Sequence, residues 1–472
     1  MSTSRRDFLK TATALSLGGA SSFGLDLARF NAFAADTSGY KALVCIFMFG
    51  GMDGHDTVIP FDTTNYNQFA NIREALFDEY ENLPGGSTRA RDRLLPLNLG
   101  NAGSFSGRQF ALPEELQPLH ELIDQGNGAI VSNVGPLVAP MNRTQFENGT
   151  VPRPPRLFSH NDQQSVWMSS QPEGASFGWG GRIADMALAS SANSNSTFTA
   201  VSAAGNSVFL SGEIVGQYEV GRNGPDEIRG VGDNELYGSS ALPDLLEAHL
   251  RAEGDSLPNI LRRDFVNVVD RSIDANRTLR ESFQTAAPFS TVFPSTGLAK
   301  QLQVVAQTIS LRNTLGVGRQ VFFVSMGGFD SHSNQANSLP SRHAELAGGM
   351  RAFYDAMTEL GINNDVTAFT ASDFGRTLTV NRDGTDHGWG GHHFVIGGGV
   401  DGNRMLGDFP EPVLGHDLDT NNGRLIPSTS VDQYAATLGR WFGLNDSELV
   451  DALPGLTNFS NRDIGLFSGG TT

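Results

Sequence analysis

Short apolar runs, several rich in Val, Ile or Phe, recur along this chain at residues 42–48, 129–133, 198–201, 321–325, 366–370 and 394–396, most of them followed by Gly, Ser or Asp. A run of this length without polar alternation is what a strand covered on both faces looks like, and crossover helices on a parallel sheet provide that cover. Helical stretches lie between the runs. Residues 113–125 carry Leu116, Leu119, Leu122 and Ile123 at helical spacing, and 299–311, 346–360 and 431–442 are further candidates. Strands alternating with helices predict an α/β fold with a doubly wound, mostly parallel sheet. From about 211 to 296 the pattern changes to charged, helix-rich sequence (242–252 and 260–283) without strong strands, which reads as a helical cap or insertion on the same domain. Gly-, Ser- and Asn-rich stretches such as 190–196 read as loops, and no internal repeat is visible.

The first 34 residues read as an export address. Ser4-Arg5-Arg6-Asp7-Phe8-Leu9-Lys10 is followed by a weakly apolar stretch to about Leu27 and by Ala32-Phe33-Ala34, a small-x-small pattern suited to a signal peptidase. This twin-arginine pattern assigns residues 1–34 to a signal peptide and 35–472 to the folded domain, with a periplasmic or extracellular destination. The alternative, a short membrane anchor, needs about 20 apolar residues, and this run is too short and too polar. No later segment is apolar enough to span a membrane. The twin-arginine route carries proteins already folded, often around a cofactor, which points towards a metal. Cys45 is the single cysteine, so no intrachain disulfide forms, and its place in an apolar run marks it as core. Residues 1–34 hold four cations and two carboxylates, so their removal takes the net charge from −18 to −20. That surface excludes nucleic acid and anionic membranes as partners and suits bivalent cations, although plain solvation accounts for most of it.

Six of the ten histidines fall in four polar clusters at predicted strand ends, where open α/β sheets bind their ligands. The first, Gly50-Gly51-Met52-Asp53-Gly54-His55-Asp56, offers carboxylate oxygens on a flexible backbone, or an ordinary Asp/Gly turn that caps a helix. In Phe158-Ser159-His160-Asn161-Asp162, Ser159 or His160 serves as nucleophile, base or ligand, unless Ser159 is simply an N-cap. Gly327-Gly328-Phe329-Asp330-Ser331-His332 sets an Asp and a His to reach one cation from a strand end. The fourth runs from Ser372-Asp373-Phe374-Gly375-Arg376 to Asp386-His387-Gly388-Trp389-Gly390-Gly391-His392-His393. Three histidines and an aspartate within eight residues suit a metal such as Zn, Mn or Fe better than they suit packing.

The twin-arginine start, Gly-Gly-Met-Asp-Gly, Gly-Gly-Phe-Asp-Ser-His, and Ser-Asp-Phe-Gly-Arg-Thr followed by Gly-Thr-Asp-His-Gly resemble the family catalogued as domain of unknown function 1501, over nearly the whole mature chain. That family is related to the alkaline phosphatase and sulfatase superfamily. The resemblance implies a parallel sheet with two divalent metal ions (Zn, Mn, Fe or Ca) at its carboxyl edge. It makes Asp53 the early ligand and sends Asp330 and His332 to the other metal. Asp373 stands at the superfamily's Asp-His pair, His387 (with Asp386 beside it) at the final histidine, and His392 orients a ligand from behind. Two positions depart from the scheme. Phe374 replaces the second histidine, so His55 or His160 would have to rebuild that site, and Ser159 is only the best available nucleophile.

Two functions compete on these residues. One is a metal-dependent hydrolase of phosphate or sulfate esters, with a small anionic ester or a polymer as substrate, attack by Ser159 or by water, and Arg376 clamping an anionic oxygen unless it forms a structural salt bridge. The other is an exported binding or assembly protein, with a protein partner, that keeps the fold without turnover.

Overall fold

The computed structural model describes residues 38–468 apart from 191, 194–195, 233 and 252–259; the signal expected at 1–34 lies outside the described residues. Nine strands form the main sheet: β1 (Lys41–Met48), β2 (Gly128–Gly135), β3 (Ala200–Ser202), β4 (Tyr218–Glu219), β5 (Arg319–Met326), β6 (Val366–Ser372), β7 (Gly391–Ile396), β8 (Arg404–Leu406) and β9 (Thr429–Ser430). Their order is β8-β2-β7-β6-β1-β5-β3-β4, with β9 also paired to β2. All neighbours run parallel except β7, which is antiparallel to both β2 and β6. The exception has a simple cause. A parallel return needs a crossover of a dozen or more residues to the opposite sheet edge. After β6 the chain instead makes a hairpin, Arg376–Val380 with Thr385–His387. It re-enters the sheet from the edge it left.

Side chains alternate along β1 as a strand covered on both faces requires. Ala42, Val44, Ile46 and Met48 join one core with residues of three helices, α1 (Gln117–Asp124), α4 (Gly297–Ser310) and α5 (Gln335–Glu359). Leu43, Cys45 and Phe47 join the other core, with α3 (Trp179–Ala189), α6 (Val431–Phe442) and Trp167 of α2 (His160–Ser169). The expected doubly wound, mostly parallel α/β fold is therefore present.

Helix α5 starts a full eleven residues before the sequence reading placed it, with Pro340 inside. Proline removes one intrahelical hydrogen bond, but Gln335, Ala336 and Leu339 are buried and hold the early turns in place. In 211–296 the helices Leu242–Leu250 and Ile260–Thr285 are joined by Arg251, which pairs with Glu247, Asp270 and Asp274. No helix among the described residues is long and apolar enough to cross a membrane.

Candidate metal centre

The carboxyl ends of β1, β5 and β6 are level, with Met48 opposite both Met326 and Ser372. The segments that leave them therefore meet at one edge. Gly50 is the hinge of that meeting: at φ +117° a side-chain carbon on it would lie 2.3 Å from the Asp330 nitrogen. Its N–H donates to Asp373 Oδ2 (3.2 Å) and its carbonyl accepts from Arg376 Nη1 (2.8 Å), tying the first, third and fourth clusters together.

Around this hinge the donor atoms of His160, Asp330 and His387 lie within 4.8 Å of one another. His332 joins them, its Nε2 2.8 Å from His387 Nε2 and 3.3 Å from Asp330 Oδ1. Each imidazole rests its Nδ1 on an oxygen that can only accept. His160 Nδ1 donates to Asp373 Oδ2 (2.6 Å), His387 Nδ1 to the Phe158 carbonyl (2.8 Å), and His332 Nδ1 to Asp386 Oδ1 (3.2 Å). With the proton on Nδ1, the lone pair is on Nε2. Nε2 of His160 and of His387 point at Asp330, at 3.6 and 3.3 Å. Imidazoles locked through one nitrogen with the other turned inward are the arrangement of metal-binding histidines. Two facing Nε2 lone pairs repel unless a cation or a proton lies between them. The donor set thus fits a bound cation.

The electrostatics separate the two central imidazoles. The bond to Asp373 raises His160 above its ordinary value despite its partial burial, while burial pushes His387 below it, with Arg376 adding to the effect. Burial alone would raise Asp330, but Arg376 foremost, with His332 and His160, outweighs that and holds it below the usual carboxylate range. Asp330 is thus a ready anion at neutral pH. Phe374 stands where a further histidine was expected and forms the apolar wall, its ring centroid 4.9 Å from His160 and 4.5 Å from His387.

Several expected residues stand elsewhere. Asp53, expected as the early ligand, is fully buried in an ion pair with Arg73, and it also accepts from the N–H groups of His55 and Asp56 and from Gln335 Nε2 (2.7 Å). Burial would raise its carboxyl, yet Arg73 keeps it well below the usual range. Arg376, expected either to clamp an anionic oxygen or to form a structural salt bridge, pairs with Asp330. It is fully buried, with Nε on Thr385 Oγ1 (2.9 Å), Nη2 on the Thr385 carbonyl (2.6 Å) and Nη1 on Gly50 and Asp330 (3.2 Å), so it positions Asp330. His392 accepts the Asn133 N–H on Nδ1 (3.1 Å) and stacks on Phe409, away from the cluster. Asp386 orients His332 and is itself held by Asn381 (2.7 Å). Ser159 donates to Asp162 Oδ2 (2.9 Å), while His160 beside it turns to Asp373 instead.

The sequence reading missed Arg73, Gln164, Gln335, Thr385 and Phe158. Gln164, one turn after His160 on α2, donates to Asp373 Oδ2 (2.9 Å), and its i, i+4 spacing from His160 was a signal. Phe158 gave none: it contributes a carbonyl from a left-handed backbone, φ +72°, strain of a kind that collects at ligand sites. Asp373 Oδ1 is buried without a partner among the described residues.

A doubly wound sheet bearing a histidine and carboxylate centre at its carboxyl edge defines the class. The family described as "Protein of unknown function (DUF1501)" matches residues 40–454, and the chain belongs to that family. No curated protein matches it. Similar solved structures include a sulfatase, PsFucS1 from Pseudoalteromonas sp., at 10% identity, covering 91% of this chain and 73% of that one, with a TM-score of 0.33. Another is Ps i-CgsB in complex with k-i-k-neocarrahexaose, at 9% identity, covering 90% and 78%, with a TM-score of 0.34. A third is the C-terminal periplasmic domain of EcEptC from Escherichia coli, at 9% identity, covering 93% and 90%, with a TM-score of 0.32. Likeness at that level says nothing about the chemistry of this chain.

Proposed function

We propose that this chain is an exported, metal-dependent hydrolase-like protein acting on phosphate or sulfate esters. The observation that carries the reading is the set of three imidazoles, each anchored through Nδ1, whose Nε2 atoms gather around Asp330. His160, His332, His387 and Asp330 would hold the cation. Imidazole with one carboxylate suits zinc, iron or manganese; calcium, which takes six to eight oxygens, fits poorly. A cation held there supplies Lewis acidity towards an ester oxygen.

The chain's own residues do the rest. Asp373 keeps the proton of His160 on Nδ1, and Gln164 and Gly50 keep Asp373 in place. Phe374 excludes water from one side of the two rings. Arg376 fixes the oxygen of Asp330. Export rests on the pattern from Ser4 to Lys10 and on Ala32-Phe33-Ala34. The rival reading, an exported binding protein without turnover, draws on Ser159, whose hydroxyl is committed to Asp162 rather than to the neighbouring imidazole of His160.

Hydrolysis of aryl phosphate and aryl sulfate esters by the full chain, with and without a chelator, tests the proposal. Turnover lost on chelation and in His387→Ala, but kept in Ser159→Ala, is expected. Metal bound with no turnover on either ester class would favour the binding protein.

A further inference from the structure

The structure points to a site for one cation, because Arg73 holds the carboxylate, Asp53, that the two-metal expectation gave to the other. We infer that Arg73 fixes the metal count at one, an inference that rests on the metal reading proposed above.

Asp53, in the loop that follows β1, is the carboxylate that the two-metal expectation assigned to the other cation. It has nothing left to give. Oδ1 accepts from the N–H groups of His55 (3.1 Å) and Asp56 (3.3 Å) and from Arg73 Nη1 (3.3 Å). Oδ2 accepts from Gln335 Nε2 (2.7 Å) and from Arg73 Nη2. A carboxylate has about four acceptor positions, and five donors already occupy them. The next carboxylate, Asp56, is taken in the same way by Arg89 (2.9 and 3.1 Å) and Tyr80. Both ion pairs are fully enclosed.

A continuous wall separates Asp53 from the histidines. Gln335, which donates to Asp53, accepts from Thr385 Oγ1 and Ser331 Oγ (both 2.9 Å). Thr385 Oγ1 accepts from Arg376 Nε, and Arg376 Nη1 reaches Asp330 (3.2 Å). A second cation would have to displace a buried guanidinium and leave it without its partner, which low-dielectric surroundings penalise heavily. On the other side Phe374 packs against the rings of His160 and His387 and offers no donor. Arg73 and Asp53 therefore cancel each other's charge inside the fold, and neither is available to a second cation.

The test is calorimetric titration of the chelator-stripped full chain with zinc or manganese alone, checked by elemental analysis. The Asp53→Asn/Arg73→Gln double variant, which removes both charges together, is titrated beside it. One equivalent in both proteins is expected. Two equivalents in the wild type would overturn the inference and leave the metal reading standing. So would one equivalent lost in a double variant whose circular dichroism matches the wild type, since Asp53 would then be a ligand. No binding by the wild type would overturn the metal reading, and the inference with it. If the double variant fails to fold, the wild-type stoichiometry decides alone.

Discussion

His160 and His387 lie with their ring centroids 4.5 Å apart, yet their environments push their proton affinities in opposite directions. A cation at Nε2 competes with a proton there, so affinity falls as pH drops through the imidazole range. At His160 that loss begins at higher pH than for an ordinary imidazole, because Asp373 stabilises the protonated ring. Asp373→Asn should therefore do two things. Zinc affinity at pH 8 should weaken about 10–100-fold, as for other carboxylates behind a ligating histidine. The pH midpoint of the remaining affinity should also move down. Dissociation constants measured from pH 5 to 8.5 check both, and an unmoved midpoint would separate Asp373 from the protonation of His160. Arg73 and Asp53 obey a different rule. Removing one partner strands a buried charge, so Arg73→Met or Asp53→Leu should each cost about 3–5 kcal/mol in urea unfolding, and the two together far less.

The elements explain which parts of this were legible in the chain. The apolar runs that became β1, β5 and β6 identified themselves, because strands covered on both faces tolerate no polar alternation. The Gly-Gly-Phe-Asp-Ser-His and Asp-His-Gly segments then had to emerge at strand ends, and Asp330, His332 and His387 do converge there. The reversal of β7 was not legible, since it depends on the hairpin returning to the edge it left. Nor was the capture of Asp53 by Arg73: twenty residues separate them, and an arginine at the start of a helix carries no mark of its partner. Gly50 could be read as a turn glycine but not as the contact between two loops. Gly50→Ala should bring a clash with the Asp330 backbone and a strained φ, together about 1–3 kcal/mol or more. Thermal unfolding together with a weakened zinc affinity would show both effects; an alanine variant with wild-type affinity would mean that the hinge does not set Asp330.

For the whole molecule, stability and metal loading are linked but separable. Far from the cluster on the sequence, Asp432 at the start of α6 is raised to about 6 by burial, offset only in part by the Ser170 hydroxyl that bonds it (2.6 Å). The folded state therefore holds this proton more tightly than the unfolded chain does. Its contribution is greatest at acid pH and is lost as pH rises from about 4 to about 6. Asp432→Asn should thus add about 1–3 kcal/mol at pH 7.5 and little near pH 4, as read from denaturant unfolding at the two pH values. Metal acts on the folded state alone, adding about 2.7 kcal/mol at a hundred times its dissociation constant. The central claim, a cation held by His160, His332, His387 and Asp330, is tested most directly by elemental analysis. The protein should come from its own export route, beside an Asp330→Ala/His387→Ala variant. Close to one transition-metal ion per chain, absent from the variant, is the predicted result. A well-folded wild-type chain that carries no metal and takes none up would contradict it.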